Sequence, residues 1–113
     1  MAEPALGTVD ALPPDWEVTR LATVLRAHLP ELRVRYGLES VALFGSYVRN
    51  EQRPDSDLDV LVTFSHSRKL SLFDLIRLDD DLADALGVPV DVARRDNLQP
   101  RIARYILREA VEL

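Results

Sequence analysis

The 113-residue chain predicts a small α/β (α+β) domain: a short mixed sheet with helices packed on one of its faces. Three observations predict it. Two apolar runs, Leu38–Phe44 and Leu58–Phe64, have the length of buried strands and are bounded by glycine or polar turn formers. Stretches with apolar residues at helical spacing stand around and between them. The balance of 47% hydrophobic and 29% charged residues is that of a chain able to fold around a core. The same inventory excludes several classes. No apolar run approaches the roughly 18–20 residues of a membrane helix. The absence of cysteine rules out disulfides and thiolate zinc sites. A formal charge of −5 argues against direct, field-driven binding of nucleic acid. A cytoplasmic protein is the expectation.

Taken in order, residues 1–14 hold three prolines and no periodic pattern, and read as a flexible N-terminal tail to a domain over 15–113. Asp15 is placed to cap a helix carrying Trp16, Leu21, Val24, Leu25 and His28. Pro30 is expected to interrupt it and to stand in the first turn of a short second helix over 31–36, closed by Gly37. The strand Leu38–Phe44 follows. Gly45-Ser46 then opens a tight loop with about one helical turn over 47–50. After a polar stretch comes the second strand, Leu58–Phe64, rich in valine. Ser71 caps an amphipathic helix over 71–86, with Leu72, Leu75, Ile76, Leu82 and Leu86 inward and a solvated Asp79-Asp80-Asp81 opposite. Gly87 ends that helix. A third strand spans 88–93, with Pro89 marking an edge or a start. Pro100 begins a last helix that carries Ile102, Ile106 and Leu107, with Arg101, Arg104 and Arg108 as a basic stripe read as solvated. His28 and His66 stand alone and are not read as ligands.

The chemistry concentrates in Phe44-Gly-Ser-Tyr-Val-Arg-Asn-Glu-Gln-Arg-Pro-Asp-Ser-Asp-Leu-Asp59. Asp57 and Asp59 are two apart at a strand start, so their carboxylates project from one face. Carboxylates so close raise each other's pKa unless a cation lies between them, and the hard, oxygen-seeking cation suited to phosphate chemistry is Mg²⁺. Asp91, between Val90 and Val92, is costly inside an apolar strand unless paired or metal-bound. If its strand neighbours Leu58–Phe64, three carboxylates meet on one face. That arrangement holds two metal ions about 3.5–4 Å apart for in-line phosphoryl or nucleotidyl transfer. Gly45 allows close backbone approach to a phosphate, Ser46 adds a hydroxyl donor, and Arg49 adds a planar cationic fork. Blander readings exist for the parts. Ser56 to Asp59 matches a helix capping box, although the run after it is strand-like. Asp55, Asp57 and Asp59 imitate a calcium loop, which fails at Val60 and His66.

Gly45-Ser46, the spacer, Ser56-Asp57-Leu58-Asp59 and a downstream strand aspartate resemble the polymerase-beta-like nucleotidyltransferase superfamily. Over 18–113, the segments LFGSYVR, SDLDVLV, VPVDVA and RIARYILREAVEL are similar to the minimal nucleotidyltransferase (MNT) antitoxins, partners of HEPN-domain toxins. The resemblance implies that Asp57 and Asp59 share two Mg²⁺ ions, that Asp91 completes one site and helps deprotonate the attacking hydroxyl, and that Gly45, Ser46 and Arg49 receive the triphosphate. It implies transfer of AMP from ATP to a tyrosine hydroxyl of a HEPN ribonuclease toxin, silencing it. One departure is visible: Val48-Arg49-Asn50 replaces the family's usual Ala-Arg-Gly, and asparagine is the residue that best substitutes for glycine in left-handed backbone. Two alternatives are an antitoxin that neutralises by binding alone and a nucleotidyltransferase acting on a small-molecule acceptor. The carboxylate triplet disfavours the first, and the lack of room for a second domain disfavours the second.

Overall fold

A computed structural model describes residues 6–65 and 69–113. Its elements are β1 (Gly7–Thr8), α1 (Glu17–Tyr36), β2 (Leu38–Phe44), β3 (Leu58–Phe64), α2 (Leu72–Leu86), β4 (Val90–Arg94), α3 (Pro100–Glu109) and β5 (Val111–Glu112). The strands form one mixed sheet in the order β1-β5-β2-β3-β4. β2 runs antiparallel to both β3 and β5, whereas β3–β4 and β1–β5 are parallel. The parallel β3–β4 pair needs a crossover, and α2 supplies it.

Alternation along the strands divides the sheet into two faces. Val41 and Leu43 of β2 and Leu58, Val60 and Val62 of β3 point into the main core, where Val18, Leu21, Leu25, Leu29 and Leu32 of α1 and Leu78, Leu82 and Leu86 of α2 meet them. Ala42 and Leu61 point the other way, against Ile106 and Ala110. Thus α1 and α2 cover one face, while α3 lies on part of the opposite one. Asp59 and Asp91 have the parity of that second face.

Both central strands span the residues expected of them, because glycine, proline and polar turns mark their ends. The cap of α2 also stands: Ser71 and Asp74 form a reciprocal capping box, and Gly87 closes the helix in left-handed conformation. β4 is an edge strand, and Pro89 precedes it, its carbonyl accepting from Leu58 N–H at 2.8 Å.

Four expectations are corrected. Pro30 does not divide the first helix, which runs unbroken through it. The proline lies on the solvent side, as does Arg26, whose carbonyl loses its donor, so water can satisfy that group while Leu29 and Leu32 stay buried. Trp16 and not Asp15 occupies the N-cap position, with no side-chain cap; Thr19 instead ties back to the Pro13 carbonyl at 2.7 Å. Leu72 and Ile76 are exposed, and Leu78 takes their place inward, because α2 buries the row 78, 82, 86 against α1 and β4. Finally, within the segment read as a tail, Gly7–Thr8 pairs with β5 and Val9 is buried; residues 1–5 lie outside the described residues, as does His66.

Candidate active site

The register of β3 and β4 settles whether the third carboxylate joins the other two. Asp59 stands directly opposite Asp91 in the parallel ladder, and Phe44, the last residue of β2, is opposite Asp59 on its other side. Asp57 precedes β3 by one residue and is exposed; Asp59 is half-buried; Asp91 is exposed. Burial pushes the Asp59 carboxyl up to about 6, and the neighbouring charges of Asp91, Asp57 and Glu109 push in the same direction, opposed by Arg49. The three expected residues therefore share one electrostatic field at one end of the sheet.

Their oxygens do not form a closed shell. Among the described residues, no three carboxylate or imidazole side chains converge as a single metal-binding group. The donor set is nevertheless all-oxygen, crowded with negative charge and reached by only one cationic side chain among the influences on Asp59, which suits a hard divalent cation such as Mg²⁺.

Gly45 forms the adjoining wall. Its φ of +85° is left-handed, and a Cβ built on it would fall 2.0 Å from Asp59 Oδ2, so only glycine lets the backbone pass this close to the carboxylate. The segment after it is a series of turns and not a regular helix: Val48 and Arg49 N–H donate to the Gly45 carbonyl, and Glu51 N–H donates to Ser46. Tyr47 and Val48 bury into the main core and anchor the loop. Burial raises the Tyr47 hydroxyl pKa, with Glu17 and Asp57 adding to the effect. Asn50 takes φ +57°, the left-handed backbone for which it substitutes well for glycine. Among the described residues, nothing accepts from the Ser46 or Tyr47 amides, which directly follow Gly45. Ser56 accepts from Arg53 N–H at 2.7 Å, so it stabilises a turn and is no helix cap.

Two further carboxylates belong to this region. Glu109, the last residue of α3, accepts from Gly45 N–H at 2.8 Å with Oε1 and from Arg49 Nη1 at 2.7 Å with Oε2. Arg49 also approaches Glu51 at 3.5 Å, so its guanidinium is held by two acids of the chain. Asp79 is not on a solvated face: it is half-buried, and it lies in the field of Asp91. Burial raises its pKa. Glu109 was detectable in principle as the one acid of a helix that otherwise carries three arginines, at an end where the helix dipole disfavours negative charge. Asp79 offered no comparable signal.

Known proteins share sequence and fold with this chain over most of its length. The nucleotidyltransferase domain family matches residues 25–113. Protein adenylyltransferase MntA of Thermococcus cleftensis is 42% identical over 91 residues, which cover 80% of this chain and 90% of that protein. A solved structure described as a minimal nucleotidyltransferase is 39% identical, with a TM-score of 0.66, covering 91% of this chain and 98% of the other. The fold is also shared with a chain from the complex of a tri-AMPylated Shewanella oneidensis HEPN toxin and an MNT antitoxin, at 20% identity and a TM-score of 0.60, covering 81% of this chain and 70% of that one.

Proposed function

Since the chain belongs to the nucleotidyltransferase domain family, we propose that it transfers AMP from ATP to a tyrosine hydroxyl of a HEPN-domain ribonuclease toxin, and so acts as that toxin's antitoxin. The observation that carries this reading is the register that brings Asp59 opposite Asp91, two residues beyond Asp57 and directly against Gly45. Similarity to the adenylyltransferase MntA supports a protein acceptor, and the fold shared with an antitoxin bound to its AMPylated toxin supports the HEPN partner.

Asp57, Asp59 and Asp91 are the residues that would hold Mg²⁺, two ions in the full site. When bound, Mg²⁺ supplies charge neutralisation for the triphosphate and the leaving pyrophosphate. The amides of Ser46 and Tyr47 and the Ser46 hydroxyl donate to phosphate oxygens beside the carboxylates. Asp91, exposed at the edge strand, is open to an incoming hydroxyl, and it accepts the proton released there. The hydroxyl oxygen forms a bond to the α-phosphorus, and the bond from that phosphorus to the bridging oxygen of pyrophosphate breaks. The protein's share is positioning and charge placement. Among the described residues no helix is long and apolar enough to cross a membrane.

The test is co-expression with the HEPN partner. The wild-type chain is expected to suppress the toxin's ribonuclease activity, and Asp57→Ala and Asp59→Ala are expected to lose that suppression while still folding. Suppression by these variants equal to wild type would replace the enzymatic account with neutralisation by binding alone.

A further inference from the structure

The nucleotide site proposed above depends on a loop whose backbone is held from outside the loop. Glu109 does the holding. Its two carboxylate oxygens take separate donors, the Gly45 amide and the Arg49 guanidinium, which bracket the Gly45–Arg49 turn at both ends. The anchor itself is stiff. Glu109 is immediately followed by Ala110, which is buried and donates to the Ile106 carbonyl, and then by β5, where Val111 pairs with Leu43 of β2. The carboxylate is thus fixed both to the helix and to the sheet.

Two features of its location oppose its charge, and the ion pair with Arg49 offsets them. It stands at a helix C-terminus and adds negative charge to the field that already raises Asp59. What holds the carboxylate there is its pair of hydrogen bonds, and one of them acts directly on Gly45. Gly45 in turn abuts Asp59, since a Cβ there would meet Asp59 Oδ2, Cγ and Cβ. A shift of the Gly45 backbone would therefore displace both the carboxylate and the free amides of Ser46 and Tyr47.

Resting on the functional reading above, we propose that Glu109 is a positioning residue for the nucleotide. It fixes the Gly45–Arg49 turn in the conformation that receives phosphate, and it occupies Gly45 N–H and Arg49 so that phosphate is received by the Ser46 and Tyr47 amides. The contrary possibility is physical and separable: a carboxylate competing with the nucleotide for Arg49 would weaken binding, and its removal would strengthen it.

The experiment measures binding of a fluorescent ATP analogue with Mg²⁺ to the full chain, alongside the thermal midpoint and the KM and kcat for ATP. Glu109→Ala removes both bonds, and its affinity is expected to fall on the order of tenfold or more, the usual consequence of losing a charged hydrogen bond. The loss is expected mainly in KM. Glu109→Gln keeps a neutral oxygen acceptor for Gly45 N–H while giving up the ion pair with Arg49, and because the Gly45 bond is the one that sets the turn it is expected to bind within about threefold of wild type. Should the alanine variant lose its cooperative melt, Glu109→Asp, which withdraws the carboxylate by one methylene, replaces it with the same expectation. Alanine binding as tightly as wild type, or more tightly, overturns the proposal, and so does a glutamine variant as weak as alanine. A wild-type chain that binds no nucleotide overturns the functional reading, and this proposal with it.

Discussion

Replacing Gly45 by alanine separates backbone strain from damage to the carboxylate site. Gly45 has φ +85°, and left-handed backbone costs a residue with a Cβ roughly 1–2 kcal/mol. The same cost applies to Gly87→Ala, where φ is +72° and nothing lies within 4 Å of the added methyl, so that variant is the matched control. At Gly45 the methyl would also stand 2.0 Å from Asp59 Oδ2. To restore ordinary contact the carboxylate must retreat by more than about 1 Å, since non-bonded heavy atoms settle at roughly 3.5–4.0 Å. Asp59 has little space for this, being flanked by Phe44 and Asp91 in the ladder. A misplacement of about 1 Å at a reacting centre costs on the order of 10²-fold in rate. Both variants are expected to melt several degrees below wild type, by about 4–8 °C per kcal/mol for a domain approaching this size. Only Gly45→Ala is expected to lose AMP transfer, by about two orders of magnitude. Transfer by Gly45→Ala within a few-fold of Gly87→Ala would refute the reasoning.

Three other outcomes follow from the same geometry. Pro30→Ala restores a helix donor on the solvent face of α1 and is expected to stabilise the chain by about 1–3 kcal/mol, seen as a higher Tm; an unchanged or lower Tm would show that the proline carries another role. Tyr36 and Arg35 both donate to Asp81 and hold its carboxyl below its usual value, Tyr36 first. That contribution is present at neutral pH and is lost as pH falls through the lowered native value; Tyr36→Phe is expected to cost about 1 kcal/mol at neutral pH and to flatten the acid limb of Tm against pH. Asp59 has the opposite sign. With its native carboxyl near 6 and an unfolded value of about 3.9, the native state retains a proton the unfolded state has released, so stability without Mg²⁺ falls as pH rises between the two. Asp59→Asn should remove that slope, and Mg²⁺ affinity of the wild type should weaken on acidification below about 6, as titration calorimetry would record.

Much of this molecule could be read from local sequence. Leu38–Phe44 and Leu58–Phe64 are marked at both ends by turn chemistry, and the Ser71 cap carries its own signature, so neither depended on distant contacts. Asp57 and Asp59 were visible from strand alternation alone, whereas Asp91 needed the β3–β4 pairing to join them. The remainder depended on tertiary structure. Strands of two residues, β1 and β5, are too short for any period to reveal. Pro30 is tolerated because of which side of α1 it faces, and helix propensity does not contain that information. Glu109 reaches Gly45 across 64 positions of sequence, and nothing local at either end specifies the contact.

The central claim is that the carboxylates around Gly45 transfer the nucleoside monophosphate of ATP to a protein hydroxyl. Incubation of the purified chain with Mg²⁺, the HEPN partner and ATP labelled on either the α- or the γ-phosphate tests it directly. Label from α-labelled ATP is expected on a partner tyrosine, with none from γ-labelled ATP, and Asp57→Ala and Asp59→Ala should abolish it. Label from the γ-phosphate, or undiminished α-label with those variants, would contradict it.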